Sequence, residues 1–277
     1  MALFLAGCGT HPTAPTPPLP IPEPVVRTIT STLTMTDAET GAVLGTLETA
    51  QQLPALVTLS RPGYVTHEAW VRGTETVSLF PEARFDLAFY RQFSRGSLDR
   101  QPEALSVWAV APRVYLQRAG LSDATVAALH AQAVAVVPAL TGGRFPLAGW
   151  EMGEALPGDR LGVVTIELVT AADQPCGRAS VGASAGHIWL NTRSACHSGG
   201  HVVHPPLLAH ELGHALGFWH VDDPSALMTS TAMITLSGAV TPRERIHAAF
   251  AYQRPRGNMD IDRDAPVRLL RHPVILH

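Results

Sequence analysis

Short β-rich runs dominate the first part of the chain. They occupy residues 29–35, 43–47, 55–59, 65–71 and 76–80, and turn residues at 37–41 and 61–64 lie between them. Runs of this length, repeated about every ten residues and separated by turns, are typical of strands in a β-sandwich. The pattern predicts a small all-β sandwich over residues 28–80.

A different pattern begins after residue 104. An apolar run at residues 107–116 predicts a strand, and Ser122 precedes a segment whose apolar residues recur at helical spacing. We expect this helix to end at Pro138, because proline removes a helical hydrogen bond. Residues 161–169 and 187–190 predict two more strands. The order of elements predicts an α/β (α+β) domain.

The predicted α/β domain covers residues 105–277. Residues 81–104 are mixed and charged without sustained periodicity, and they are interpreted as the linker between the two domains. The chain therefore divides into a β module and a larger domain that carries most of the candidate chemistry.

Metal-binding residue types concentrate between residues 210 and 220, which read His-Glu-Leu-Gly-His-Ala-Leu-Gly-Phe-Trp-His. On a helix His210 and His214, four residues apart, can present two imidazoles to one ion. Glu211 falls beside that face and can reach a metal-bound water. Gly217 permits the sharp turn that returns His220 to the same ion. Three neutral imidazoles leave one position open, which is typical of a catalytic zinc.

This segment contains the pattern H-E-x-x-H-x-x-G-x-x-H, and Met228 follows it in Ala-Leu-Met-Thr. The chain thereby resembles the metzincin zinc peptidases, and looks most like their matrixin branch. The likeness extends more weakly over residues 105–262. It implies a twisted, mostly parallel sheet, an active-site helix, one catalytic Zn²⁺, and Met228 in a turn beneath the histidines. Ser230 stands where some metzincins carry a tyrosine that contacts zinc, so no fifth ligand is expected.

The resemblance also implies an activity. It indicates a zinc endopeptidase in which Glu211 is the general base for a zinc-activated water. A polypeptide substrate would bind as an extended strand, antiparallel to an edge strand expected around residues 184–189. The alternative is a catalytically silent zinc-binding adhesion or binding protein on the same fold. Glu211 favours the peptidase, because a binding module needs no general base.

The N-terminus has features of export. The residues from Leu5 to Cys8 resemble the lipobox of bacterial lipoproteins, so residues 1–8 are interpreted as a signal remnant with Cys8 as the lipidation site. A chance match is the alternative, since the apolar run is short and lacks a basic segment. Residues 9–27 contain seven prolines and predict an extended tether. The expected location is the bacterial cell envelope or the extracellular space.

The cysteines agree with export, and the β module has a resemblance of its own. With Cys8 set aside, Cys176 and Cys196 form an even pair and predict a disulfide, with two buried free thiols as the alternative. Residues 40–41 and 61–64 of the β module resemble carboxypeptidase-regulatory-like and PEGA-type modules, which implies a spacer or adhesive role.

Charge and length exclude some partners. The formal net charge of −3, with both signs scattered, excludes an electrostatic footprint for nucleic acid or an anionic membrane. The sequence has no apolar stretch of about 18 residues, so no spanning helix is expected and membrane contact would come only through the lipid anchor. We expect a monomer.

Three other motifs are weaker. Residues 258–264 resemble the start of a calcium loop, but Ala265 and Arg271 replace the glycine and glutamate of an EF-hand, so structural Ca²⁺ is not supported. Residues 241–244 are a capping box that predicts a helix start. Histidines at 197, 201 and 204 match no metal-site spacing and are interpreted as surface loop residues.

Overall fold

The computed structural model describes residues 28–52, 55–71, 73–197, 200–230, 237–259 and 271–273. The protein is a mixed α/β structure whose sheets contain parallel and antiparallel strands. The strands are β1 Thr28–Asp37, β2 Val43–Gln52, β3 Ala55–Leu59, β4 His67–Val71, β5 Glu75–Leu79, β6 Arg113–Gln117, β7 Gly149–Gly153, β8 Val163–Val169, β9 Gly177–Ala179, β10 Gly186–Asn191 and β11 Arg271–Pro273. The helices are α1 Leu87–Arg95, α2 Asp123–Leu140, α3 Pro205–Ala215 and α4 Pro242–Gln253.

The first five strands lie in two three-stranded sheets, ordered β2-β1-β5 and β11-β3-β4. Side chains alternate between the two faces of a strand, and the alternate apolar residues of these strands face one another. They form a separate apolar cluster. Its buried members are Leu33, Met35, Val57, Leu59, Ala69, Val71, Val77 and Leu79.

One strand of these sheets comes from the far end of the chain. β11 pairs in parallel with β3, with Arg271 opposite Leu56. The sequence assigns residues 105–277 to the larger domain, but residues 271–273 belong to the small sheets instead. Their pairing satisfies backbone groups that β3 would otherwise leave open on that side.

The segment predicted as a linker contains a helix. Asp86 starts α1 by accepting hydrogen bonds from the backbone N–H groups of Ala88 and Phe89, and Gly96 ends it at a φ of 71°. Phe89, Tyr90 and Phe93 of this helix are buried in the larger core. The linker prediction for residues 81–104 is therefore wrong over α1, because its aromatic residues share one helical face.

The larger domain is built on a five-stranded sheet, ordered β7-β6-β8-β10-β9. The first four strands are parallel to their neighbours, and only β9 is antiparallel. Strand β6 is shorter than the apolar run at residues 107–116 that predicts it. Trp108, in the first part of that run, lies outside the sheet and donates from Nε1 to the backbone oxygen of Ala215, 2.7 Å away. The sequence pattern missed β7 and β9.

The identity of the edge strand differs from the prediction. β10 covers most of the segment around residues 184–189 and is paired on both sides, with β8 and with β9. Its backbone groups are therefore already used within the sheet. β9 is the strand at this edge, so the expectation of an edge around residues 184–189 is wrong.

Helix α2 also runs further than predicted. It starts at the Ser122 cap and continues through Pro138 to Leu140. The proline lies in the last turn, where it removes one bond, and the carbonyl it would have paired with belongs to Val134, which is 50% exposed. Val137 and Leu140 are fully buried and hold the last turn on the core.

By length and composition α2 could cross a membrane, contrary to the expectation from the sequence that no such segment exists. Helices that lie in a protein core can have the same length and composition. The buried face of α2 packs in the larger core and contacts α3. We therefore describe α2 as a core helix that carries α3 on one side.

The β module contacts the larger domain at helix α4. The backbone N–H of Ser78 at the end of β5 donates to Oε1 of Gln253, 3.1 Å away. The rings of Phe80 and Phe250 lie edge to face with centroids 5.1 Å apart. The β module thus packs directly on the larger domain in the described structure.

Candidate metal centre

Helix α3 carries the first two histidines of the motif. Proline at its first position suits a helix start, since the missing N–H would have no partner there. His210 and His214 are 2% and 9% exposed, one turn apart on the same face. The helix ends at Ala215, and Gly217 then turns the chain at a φ of 106°.

Gly217 is required for a second reason besides its backbone conformation. A Cβ atom at this position would lie 2.7 Å from the backbone oxygen of Ser106. The turn therefore passes too close to its neighbour to admit a side chain. It brings His220 back to the two histidines of α3.

The three imidazoles converge. One ring nitrogen from each of His210, His214 and His220 lies within 4.8 Å of the other two, and Nε2 of His214 is 3.2 Å from Nε2 of His220. Among the described residues this is the single group of three or more ligand side chains. A cluster of three imidazoles is compatible with zinc.

Each imidazole is oriented by an acceptor at its other nitrogen. Nδ1 of His210 lies 2.7 Å from the backbone oxygen of Leu227, and Nδ1 of His214 lies 2.8 Å from that of Phe218. Nδ1 of His220 lies 3.3 Å from a carboxylate oxygen of Asp99. With Nδ1 donating in all three, each Nε2 keeps a free lone pair for a metal.

Burial keeps the two histidines of α3 neutral. Desolvation lowers the pKa of His210 to about 4 and that of His214 to about 3. A neutral imidazole is the form that binds a metal ion. Both residues are therefore in the ligand form at neutral pH before any metal arrives.

Glu211 lies in the same cavity, between the ligands and the edge strand. It is 2% exposed, and its Oε2 has no hydrogen-bond partner. Desolvation raises the pKa of its carboxyl group to about 8. A Cβ atom on Gly177 of β9 would overlap with Oε1 of Glu211. The glycine leaves the space that the carboxylate occupies.

Met228 lies beneath the histidine helix and is fully buried. A Cβ atom on Gly213 would overlap with the Met228 sulfur, so the glycine between the two ligands admits this close approach. The backbone N–H of Val221 donates to the Met228 oxygen at 2.9 Å, which ties the turn of the third ligand to Met228. Ser230 is exposed at the end of this turn.

The capping box of α4 has a second role that the sequence does not reveal. Glu244 forms the predicted box with Thr241. It is fully buried, and its Oε1 accepts a hydrogen bond from the N–H of Met228 at 2.9 Å. Leu227, whose oxygen orients His210, also donates its N–H to this carboxylate. Burial raises the pKa of Glu244, while these donors lower it.

Asp99 and Arg100 come from the segment predicted as a linker. The guanidinium carbon of Arg100 lies over the ring of Trp219, 4.2 Å from its centroid. The backbone N–H of Trp219 donates to the backbone oxygen of Phe93 at 2.7 Å. These contacts hold the segment against the turn that carries His220. No spacing rule links residue 99 to residue 220, so only the folded chain shows this pair.

The ligands, Glu211 and β9 open into a cavity of about 370 Å³. The cavity has one wall from α3 and the turn after it, and a second wall from the edge strand. A cavity of this size can admit several atoms of a peptide chain beside the histidines. Its second wall includes Pro175, Gly177, Arg178, Ala179 and Val181.

The predicted disulfide is present. Cys176 and Cys196 are bonded with Cα atoms 5.4 Å apart, and Cys176 directly precedes β9. The bond ties the edge strand to the loop after β10. Closing a loop of this length stabilises the fold by about 3 kcal/mol in the chain-entropy model.

Other residues considered in the sequence do not join the site. His201 lies 3.1 Å from Oγ1 of Thr125, and His197 contacts the backbone oxygen of Thr192 at 2.9 Å. Neither belongs to a metal-ligand group among the described residues. Cys8, the tether at residues 9–27 and residues 260–265 of the acidic turn lie outside the described residues.

Comparisons with known proteins leave the interpretation to the site itself. No protein-family model matches the chain, and no curated protein matches it. Among solved structures, the chain is similar to metalloproteinase-II from Bacteroides fragilis. The identity is 13% and the TM-score 0.38, over 80% of this chain and 85% of that chain. A likeness of this degree carries no argument about activity.

Proposed function

We propose that the protein is a zinc-dependent endopeptidase, with His210, His214 and His220 as the metal ligands and Glu211 as the general base. One observation carries the proposal. Three imidazoles direct their free nitrogens to one point, beside a buried carboxylate oxygen that has no partner. A purely structural zinc site would use a fourth protein ligand and would have no need of that carboxylate.

A bound zinc ion would supply Lewis acidity, lowering the pKa of a coordinated water and polarising the scissile carbonyl. Glu211 accepts the proton of the attacking water and delivers it to the leaving amine. Its position beside the three imidazoles supports this role, because a cation held there would favour the ionised carboxylate, which is the form that accepts a proton. Gly177, which has no side chain, allows the carboxylate to lie directly beside β9.

The substrate proposal moves to β9. The residues on either side of β9 bond β10 through their backbones. The backbone oxygen of Cys176 accepts from the backbone N–H of Asn191 at 2.8 Å, and the backbone N–H of Ser180 donates to the backbone oxygen of His187 at 2.9 Å. Since strand residues alternate, the backbone groups of Gly177 and Ala179 point away from β10, toward the cavity. An extended peptide can add there as a further strand.

We also propose four further properties of the protein from its sequence. The matrixin-like branch, the sandwich module at residues 28–80 and the monomeric state are proposals. Lipid anchoring through Cys8 at the bacterial envelope, or secretion, is a proposal from the sequence resemblance alone. The alternative function is a silent zinc-binding protein.

Hydrolysis of unstructured casein tests the function. We expect cleavage by the wild type, no cleavage after chelation, and a loss of at least about a hundredfold in Glu211→Ala, since general base catalysis contributes that much. Glu154→Ala, which changes an exposed glutamate, is the matched control and keeps full activity. Equal residual hydrolysis in the wild type, Glu211→Ala and the chelated protein would refute the peptidase.

A further inference from the structure

Arg178 occupies the middle of the edge strand, between the two residues whose backbone groups face the cavity. It is exposed, and its guanidinium carbon lies 4.3 Å from the ring centroid of Trp189. Trp189 is also its register partner on β10. On the same face of the sheet, the ring of His187 stacks on the ring of Trp189 with their centroids 4.0 Å apart. Arg178 is therefore held on a rigid aromatic support.

The strand register determines how Arg178 would meet a bound peptide. Its own backbone groups point to β10, because Cys176 and Ser180 on either side also bond that strand. Toward the cavity it consequently stands at a non-hydrogen-bonded position. Directly opposite residues at such positions have Cα atoms about 4.5 Å apart, and their side chains share one face and approach most closely. A peptide side chain opposite Arg178 would therefore share the face of the sheet on which the Arg178 side chain lies.

Arg178 differs from the other charged residues around it, because it has no carboxylate or imidazole partner among the residues that the structure describes. Arg100 on the other wall is paired with Glu103 at 3.0 Å, and Asp99 contacts His220. Glu167 is paired with His187 at 2.9 Å. In the part of the chain that the structure describes, Arg178 forms no ion pair with a carboxylate.

We propose that Arg178 is a specificity-determining residue that selects an acidic side chain at the substrate position directly opposite it. The proposal rests on the proposed function. Gly177, the neighbour of Arg178, packs against Glu211. The selected side chain would therefore belong to a residue within about two positions of the scissile bond. Guanidinium groups recognise carboxylates through paired hydrogen bonds, which an ammonium cannot reproduce.

The test places one glutamate, glutamine or lysine at successive positions of a peptide that the enzyme cleaves. At one position we expect kcat/KM to be about two- to fivefold higher for glutamate than for glutamine. Arg178→Glu should reverse the preference, with lysine favoured over glutamate and a total change in that ratio on the order of tenfold. Arg118→Glu makes the same charge change at a surface pair with Asp123 and should leave the ratio unchanged.

A binding measurement keeps this test separate from the proposed function. Fluorescence polarisation of the same labelled peptides on zinc-loaded Glu211→Gln should show the same order of affinities, because it needs no turnover. If the wild type cleaves no peptide, the proposed function fails while the binding order still decides the role of Arg178. An identical preference in the parent and in Arg178→Glu, in cleavage or in binding, would overturn the specificity role alone.

Discussion

The two histidines of helix α3 and the third histidine on the turn reach the same point in different ways. His210 and His214 lie in the core and use backbone oxygens as acceptors for Nδ1. The His220 side chain is 35% exposed and uses the carboxylate of Asp99. The helix supplies its two ligands wherever it forms, whereas the third position depends on a turn and on a remote segment. We therefore expect replacement of a helix ligand to lower the stability of the fold. The third ligand should instead depend on the residues around its turn.

The largest effects should separate these two classes of ligand. Replacing His214 or His220 with alanine removes one of three ligands and should lower zinc affinity on the order of a thousandfold. His214→Ala should also destabilise the metal-free chain by about 2 kcal/mol, because it leaves a cavity in the core. His220→Ala should change that free energy of unfolding by less than about 0.5 kcal/mol.

Urea denaturation with a chelator, together with zinc competition titrations, measures both quantities. Equal losses of stability in the two variants would show that the helix and the turn are equally coupled to folding. That result would remove the distinction between them.

The pH dependence of the metal-free chain tests the burial of Glu211. Its folded pKa of about 8 lies above the ordinary value of 4.5, so its contribution to stability is fully present below pH 4.5 and is lost as pH rises to 8. Between these limits the unfolded chain binds fewer protons than the folded one. We expect the stability of Glu211→Gln relative to the wild type to increase by about 4 kcal/mol from pH 4.5 to pH 8.

Chelated samples of both proteins, unfolded by urea at several pH values, give this difference directly. Only the difference is informative, because His210 and His214 have the opposite sign and lose their contribution as pH falls below 6.5. A constant difference would mean that Glu211 is solvated in the folded chain.

Glu244 should stabilise the backbone segment whose Leu227 oxygen orients His210. Glu244→Ala leaves the N–H groups of Leu227 and Met228 without their acceptor, so we expect a loss of about 2–4 kcal/mol in stability and weaker zinc binding through His210. Thr241→Ala is the matched control. It removes the cap hydroxyl, should cost about 1 kcal/mol, and should leave zinc affinity unchanged. Thermal unfolding and zinc titration of both variants decide whether the carboxylate acts on the metal site or only on the helix.

The smallest effect should come from the acceptor of the turn ligand. Asp99→Ala removes the partner of the His220 ring and should weaken zinc binding about tenfold, while Asp99→Asn should lose less because its amide oxygen still accepts. Asp222→Ala, an exposed change on the same turn, should have no effect. Chelator competition provides the affinities. An unchanged affinity in Asp99→Ala would leave the turn ligand without an orienting carboxylate.

The parts of the site that a sequence can predict are those with local geometry. The spacing of His210 and His214, the turn at Gly217 and the capping box at Thr241 each depend on neighbours within a few residues. The same holds for the strands of the β module, whose apolar residues alternate. Interactions between residues close in sequence determine these features, so the amino-acid sequence alone can predict them.

The parts that the sequence missed depend on contacts across the fold. β9 is only three residues long, too short for a periodic signal, yet it forms the wall opposite Glu211. Asp99 and Glu244 lie far along the chain from the ligands that they support. Helix α1 is an exception, because its cap at Asp86, its aromatic face and Gly96 are local signals that the sequence contains and that the linker prediction did not use. Pairing partners and second contacts of this kind are fixed only when the chain packs.

The metal content of the purified chain is the most direct test of the central claim. After dialysis against trace zinc, we expect one zinc ion per chain in the wild type and in Glu211→Gln, and less than a tenth of that in His214→Ala. This result would place the ion on the three histidines and leave the glutamate free to act as a base. A wild type that retains no zinc, or a His214→Ala variant that retains all of it, would contradict the account.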